Sequence, residues 1–204
     1  MKKISIGIID YGIGNWNSIF NTLKKLDFKP LVTDEPSVLE KKDLIILPGV
    51  GAFKPAMEAM HQNGLAEFII DCASRNKPIL GICLGMQLLA NSSSENGETK
   101  GINLIPGNVI PIDSKDCHIG WNSNDFDVNN DLFSISSDQS FYFNHSYAFE
   151  NNRDYVVTTT TYKDKVFPSI IKLGNIVGFQ FHPEKSQIYG KKLLKSVITK
   201  LCHA

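Results

Sequence analysis

The sequence has no excess of charge of either sign: 21 lysines and arginines face 21 aspartates and glutamates. Without a basic surplus, nothing in the composition selects nucleic acid or an anionic membrane, and no acidic tract suggests a disordered tail. No apolar run approaches the roughly 18 residues that cross a bilayer. Met1-Lys2-Lys3 could open a secretion signal, but the apolar run behind it is short and soon meets Gly7 and Asp10. A buried first strand and a cytoplasmic chain are expected instead. The four cysteines, Cys72, Cys83, Cys117 and Cys202, form no C-x-x-C pair, and the five histidines show no H-x-x-x-H spacing. Neither a zinc site nor a thioredoxin-type centre is expected, and no metal or cofactor. Internal repeats and low-complexity segments are missing as well.

What is present suits one domain over 1–204: 204 residues of which 42% are hydrophobic, enough for a full core. In the first half, apolar runs alternate with helical patterns. Strands are expected at Lys3–Ile9, Asp43–Leu47 and Pro78–Ile82. Trp16, Ile19, Phe20, Leu23 and Leu26 recur at helical spacing, and further helices are expected over Phe53–His61, Leu65–Arg75 and from Leu84 to Ala90. Asn91–Gly101 is polar and reads as a surface loop. The second half turns to β patterns at Phe141–Phe143, Tyr155–Thr161, Ser169–Leu173 and Ile176–Phe181, and the chain closes on a helix carrying Leu193, Leu194, Val197, Ile198 and Leu201. Strands apolar on both faces and alternating with helices imply a three-layer α/β/α, flavodoxin-like fold with a mixed central sheet. Functional groups in such sheets gather at the carboxyl ends of the strands. That places Asp10–Asn15, Pro48–Phe53 and Cys83 at one rim.

Gly81-Ile82-Cys83-Leu84-Gly85 follows an expected strand and precedes an expected helix. It has the form of a nucleophile elbow, with cysteine at the nucleophile position. The turn is tight enough that side chains at the flanking positions would meet neighbouring backbone, hence glycine. A helix opening at Leu84 aims N–H groups at the sulfur and favours thiolate. Over five residues, a buried cysteine in a glycine turn would read the same. A thiolate also needs a proton carrier, and His182-Pro183-Glu184 supplies one just past an apolar strand. Glu184 can fix the imidazole tautomer, in the order nucleophile, base, orienter. Pro48-Gly49-Val50-Gly51-Ala52-Phe53 offers backbone N–H donors at another strand end. The oxyanion hole of an acyl transfer is assigned to Leu84 N–H and to one from Val50–Gly51.

With those segments together, the chain resembles the triad-type (class I) glutamine amidotransferases. Gly81–Gln87 matches their nucleophile motif and His182–Glu184 their His/Glu motif. Within the family it is similar to the glutaminase subunits of imidazole glycerol phosphate synthases, through Asp10–Asn15, Pro48–Phe53, His118–Asn122, His145–Tyr147 and Phe181–Ser186. The matching segments run from residue 10 to residue 186. The resemblance implies that L-glutamine is hydrolysed to glutamate and ammonia by Cys83, His182 and Glu184. It implies that Gly49, Gly51 and Gln87 hold the substrate, with His145 and Ser146 beside it. It also implies a heterodimer with a separate (β/α)8-barrel cyclase subunit that receives the ammonia in histidine biosynthesis, docking on Tyr11, Asn15, Trp121, Tyr142 and Lys185.

The sequence departs from the family pattern at Cys117, where a proline usually precedes the His-x-Gly-Trp-Asn segment, and at polar Asn144. The Asn91–Gly101 loop and the Asp113–Cys117 stretch leave a second reading open, in which the ammonia serves amidation of a surface-polysaccharide sugar. A stand-alone thiol hydrolase is a third. Gln87 and the His-Pro-Glu end speak against that one. His61 and His203 fall on expected helix ends and read as solvent-facing. His118 reads as structural or as part of a substrate-side loop.

Overall fold

The structure is a computed structural model and describes residues 3–112, 117–126, 139–150 and 155–203. Residues 113–116 of the divergent stretch lie outside the described residues. The chain opens with β1 (Ser5–Ile9), α1 (Asn17–Lys25), β2 (Lys29–Thr33), α2 (Pro36–Leu39), β3 (Leu44–Leu47), α3 (Phe53–Gln62), α4 (Leu65–Ser74), β4 (Ile79–Ile82) and α5 (Leu84–Gln87). Short strands follow at β5 (Ser92–Ser93), β6 (Thr99–Lys100), β7 (Asn108–Pro111), β8 (His118–Ser123) and β9 (Asp125–Phe126). The last part comprises β10 (Ser140–His145), β11 (Tyr147–Phe149), β12 (Val156–Tyr162), β13 (Lys165–Leu173), β14 (Ile176–Phe179), a 3-10 turn at Pro183–Lys185 and α6 (Gln187–His203).

The main sheet has eight strands in the order β2-β1-β3-β4-β14-β13-β12-β9. β2, β1, β3, β4 and β14 run parallel, and β13, β12 and β9 continue antiparallel. Period-two alternation explains why the sheet is covered on both faces. Ile6, Ile8, Leu44, Ile46, Leu80 and Ile82 point to one side, where they pack with Ile19 and Leu23 of α1 and with Leu193, Leu194, Val197, Ile198 and Leu201 of α6. Ile9, Ile45, Leu47 and Ile79 point to the other, against Phe53, Met57 and Met60 of α3 and Leu65, Phe68, Ile69 and Cys72 of α4. Burying a side chain of this size stabilises the fold by about 1.5–3 kcal/mol, so two such layers account for the expected α/β/α sandwich.

Several expectations change. β2 was not foreseen, because it is an edge strand with no more than partial burial and so carries no continuous apolar run. α5 is a single turn rather than a helix to Ala90. Asn91–Gly101 is not a plain loop: β5 pairs with β6 and β7, giving a small four-stranded sheet with β11. β8 and β10 form a separate antiparallel ribbon. Among the described residues no helix is long and apolar enough to cross a membrane.

Candidate active site

β4 and β14 are parallel neighbours with Ile82 opposite Phe179, so the residues that follow each strand emerge at the same rim. Cys83 follows β4 directly, and its N–H donates to the Phe179 carbonyl at 2.7 Å. His182 arrives a short step beyond β14. β3, on the other side of β4, delivers Pro48–Gly51 to the same place.

The elbow is as tight as its glycines suggest. Cys83 sits at φ 54°, ψ −114°, a region that L-residues rarely occupy and that costs roughly 1–3 kcal/mol. A Cβ on Gly85 would lie 1.8 Å from the Leu47 carbonyl oxygen, and one on Gly81 2.7 Å from Met86 Cα. The strained turn is thus wedged between β3 and the start of α5. Because α5 is one turn, the helix-dipole contribution expected at the sulfur shrinks to the local N–H groups of Leu84 and its neighbours. The Cys83 thiol contacts the Asn144 carbonyl at 3.8 Å.

His182 Nδ1 donates to Glu184 Oε1 at 2.9 Å, both side chains being buried. Its other nitrogen, Nε2, is buried without a hydrogen-bond partner. Burial alone would push the imidazole pKa down. Interaction with Cys83 and with the Glu184 carboxylate outweighs it, raising the value to about 10. The pairing with the Glu184 carboxylate thus favours the protonated ring against the cost of its burial. His182 N–H donates to the Tyr142 carbonyl at 2.8 Å, and the Ser186 hydroxyl donates to the His182 carbonyl at 2.6 Å, so the turn carrying the histidine is anchored at both ends.

A pocket of about 180 Å³ opens beside the sulfur. Cys83, Leu84, Gly51 and Gln87 line one side, and Cys117, His145, Ser146 and Tyr147 another. Of the expected oxyanion and substrate groups, Leu84, Gly51, Gln87, His145 and Ser146 are brought together. Gly49 and Val50 are not in the wall. A Cβ on Gly49 would lie 2.7 Å from Gly85 N, so that residue packs against the elbow instead. His145 lines the pocket, but Nδ1 donates to the Tyr147 carbonyl at 2.8 Å and Nε2 meets His118 Nδ1 at 3.2 Å. Both ring nitrogens are spent within the protein, so His145 offers the substrate a wall and no hydrogen bond.

Glu95 is the residue that sequence reasoning missed. It lies in the stretch read as a loop, lines the pocket, and accepts the Phe53 N–H at the start of α3 at 2.7 Å. Glu95 thus adds an acidic side chain to the same pocket that Gln87 lines. No periodicity marks a glutamate in a serine-rich run. Its place is in the turn between β5 and β6, which the structure brings up to the start of α3.

The docking residues divide. Trp121 and Tyr142 face each other across the β8–β10 ribbon with ring centroids 6.1 Å apart, and Lys185 Nζ stands 5.7 Å over the Tyr142 ring. Ile119, 62% exposed, and Asn144 extend the same outer face, which explains why residue 144 is polar. Asn15 is exposed. Tyr11 is a correction: it is 2% exposed, and its hydroxyl donates to the Pro48 carbonyl at 2.9 Å. Burial, then the neighbouring Cys83 and Asp10, push its pKa well above the usual phenol range, so it stays a donor. It braces the Pro48–Gly51 segment from within instead of meeting a partner. His118 is likewise buried, stacked between Phe143 and Tyr162 with centroids at 4.6 and 4.3 Å. Among the described residues no cluster of histidine, cysteine and acidic side chains could hold a metal.

A cysteine at a strained elbow, a histidine–glutamate pair just past the adjacent strand and a small polar pocket are the parts that thiol-dependent acyl transfer requires. The class-I glutamine amidotransferase model matches residues 7–200, and the chain belongs to that family. Crystal structures share the fold, among them a glutamine amidotransferase from Thermotoga maritima with a TM-score of 0.73 at 18% identity, covering the whole of both chains. Within the family, the chain is 43% identical over 193 residues to the imidazole glycerol phosphate synthase subunit HisH of Carboxydothermus hydrogenoformans, covering 93% of this chain and 96% of that one. The HisH subunits of Oceanobacillus iheyensis and Methanopyrus kandleri are 44% and 42% identical, over 93% and 96% of this chain and 96% and 98% of theirs.

Proposed function

We propose that the chain is the glutaminase subunit of an imidazole glycerol phosphate synthase, releasing ammonia from L-glutamine for a separate barrel-shaped synthase subunit. The observation that carries the chemistry is the convergence of Cys83 and the His182–Glu184 pair at the shared rim of β4 and β14. The identity of 42–44% to HisH subunits along nearly the whole chain carries the pathway.

In this reading, glutamine enters with its carboxamide carbon against Cys83. The thiolate forms a C–S bond, and the carbonyl oxygen gains negative charge beside Leu84 and Gly51. As the tetrahedral adduct collapses, the C–N bond breaks and His182 gives its Nε2 proton to the departing nitrogen, releasing ammonia and leaving a γ-glutamyl thioester. The now neutral His182 takes a proton from water. The resulting hydroxide cleaves the thioester, glutamate leaves, and the Cys83 and His182 charges are restored. Glu184 holds Nδ1–H throughout, so Nε2 stays on the reacting side. The exposed Trp121–Tyr142–Lys185 face lies next to the nucleophile, because the strand carrying Tyr142 also places the Asn144 carbonyl on the sulfur. A partner docked there would receive ammonia without its crossing bulk water.

Paired with the synthase subunit of the same source, the chain is expected to support imidazole glycerol phosphate formation from glutamine. Glutamine hydrolysis with no stimulation by that subunit, but with stimulation by a sugar-amidating partner, would move the assignment to the second reading.

A further inference from the structure

Gln87 Nε2 donates two hydrogen bonds, to the Tyr147 carbonyl at 2.7 Å and to Gln180 Oε1 at 3.1 Å. A backbone carbonyl only accepts, so the NH2 side of Gln87 must face Tyr147; chemistry fixes the orientation. Both amide hydrogens are then used, and Oε1 is the polar atom that Gln87 has left for the pocket it lines. Gln180 is fully buried, and its backbone N–H is tied to the Ser169 carbonyl on β13 at 2.9 Å, so it is a rigid anchor. Its own Nε2 is buried without a partner. A buried unpaired amide is costly. Reversing Gln180 would set one NH2 group against another, so the observed orientation is the one that serves Gln87.

The Tyr147 carbonyl is itself held by a chain with a defined direction. His145 Nδ1–H donates to it, which leaves His145 Nε2 to accept from His118 Nδ1–H at 3.2 Å. His118 Nε2 then accepts from Asn122 Nδ2 at 3.2 Å, and Asn122 donates its other hydrogen to the Thr161 carbonyl at 2.9 Å. Carbonyls at both ends fix every hydrogen between them. The chain requires two neutral imidazoles, and both rings are buried.

We infer that Gln180 is a positioning residue that keeps the Gln87 carboxamide turned with its oxygen toward the pocket, and so makes the site select substrates with a free α-ammonium group. The inference rests on the reading of the pocket as a glutamine site and adds what sets its selectivity. Without Gln180 as acceptor, one Gln87 hydrogen is released, the amide can rotate, and the ammonium loses a fixed acceptor. The carboxamide end of the substrate, at Cys83, is untouched by this change.

The test uses the full-length chain and needs no turnover: protection of Cys83 from iodoacetamide by glutamine or by glutaramate, its analogue without the amino group, followed by mass spectrometry. In the wild type, glutamine is expected to protect at a concentration about tenfold or more below that of glutaramate, the scale of one charge-assisted hydrogen bond. In Gln180→Met, the half-protecting glutamine concentration should rise about tenfold, while that of glutaramate and the unprotected alkylation rate stay within about twofold. Equal losses for both ligands, or none for glutamine, overturn the inference. His118→Phe keeps the ring stack, weakens the far end of the chain, and should show the same selective loss at about threefold; it carries the test if Gln180→Met fails to fold. A wild type that neither ligand protects overturns the glutamine-site reading itself, a result distinct from a failure of Gln180.

Discussion

Tyr142 joins the outer face to the proposed catalytic turn: Lys185 Nζ lies 5.7 Å over its ring, while its backbone carbonyl accepts the His182 N–H at 2.8 Å from within. The exposed residues of the β8–β10 ribbon are therefore one backbone hydrogen bond away from His182. On the proposed reading, a partner that shifts the ribbon would move the turn holding His182.

Substitution on that face should uncouple the two reactions without removing the glutaminase. Trp121→Ala, an aromatic anchor at the centre of an exposed patch, is expected to weaken partner binding by roughly tenfold or more, since such anchors are worth about 2 kcal/mol or more. Lys185→Ala and Tyr142→Ala should lower product per glutamine consumed, with product formation restored by added ammonium salt. Unchanged coupling in all three, measured as the ratio of product to glutamate, would remove this face from the interface.

The triad partners should fail unequally. In the proposed mechanism His182 moves protons in both half-reactions, so His182→Ala is expected to cost about 10²–10⁴ in turnover. Glu184→Gln keeps the hydrogen bond and loses the charge, so its cost should be smaller. Its signature is in the pH profile. The His182 pKa of about 10 owes part of its elevation to Glu184. In Glu184→Gln, the alkaline fall in activity should therefore begin at lower pH than in the wild type. An alkaline limb that does not move would show that Glu184 does not set the charge of His182.

The buried histidines have opposite pH signatures. A free imidazole takes a proton near 6.5, but burial holds His118 and His145 neutral down to about 4 and about 3. Between those values the unfolded chain binds more protons than the folded one, so stability from this pair is lost as pH falls from 6.5 through 4. His182 is the reverse: its contribution is complete below 6.5 and is lost as pH rises through about 10. Melting temperatures from pH 7 to 4 should fall, and His118→Phe should make the fall shallower. The same slope in both would leave the His118–His145 pair out of the acid response.

Gly85→Ala should be among the most damaging small changes in the chain. Its methyl group would lie 1.8 Å from the Leu47 carbonyl oxygen, and neither β3 nor the elbow has room to yield. A loss of more than about 2 kcal/mol in denaturant unfolding is expected, well above an ordinary surface substitution. Gly97→Ala, in the β5–β6 turn with open space around it, is the control, although its φ of 103° carries some strain.

The parts of the site that lie on regular strands were legible in the sequence. An apolar run fixes where β4 and β14 end, so Cys83 and His182 could be placed at one rim, and the crowding around Gly81 and Gly85 followed from the elbow pattern. What was not legible depends on contacts between distant segments. Tyr11 sits in a glycine-rich loop that looks exposed, yet its ring is buried and its hydroxyl reaches Pro48. Glu95 has no periodic context, and its role comes from the approach of the β5–β6 turn to α3. Gln180 reads as one polar residue in a buried strand end; the role proposed for it depends on the partner it meets 93 residues away along the chain. β2 escaped because an edge strand needs less burial than a central one.

The central claim, that Cys83 makes the ammonia which a separate synthase subunit consumes, is tested most directly by comparing two nitrogen sources in the assembled pair. Imidazole glycerol phosphate formation is measured with glutamine and with ammonium salt, for the wild type and for Cys83→Ala, each mixed with the synthase subunit. The account predicts that the wild type uses both sources, and that Cys83→Ala loses glutamine-driven synthesis while ammonium-driven synthesis continues at the wild-type rate. Glutamine-driven synthesis persisting in Cys83→Ala would contradict it.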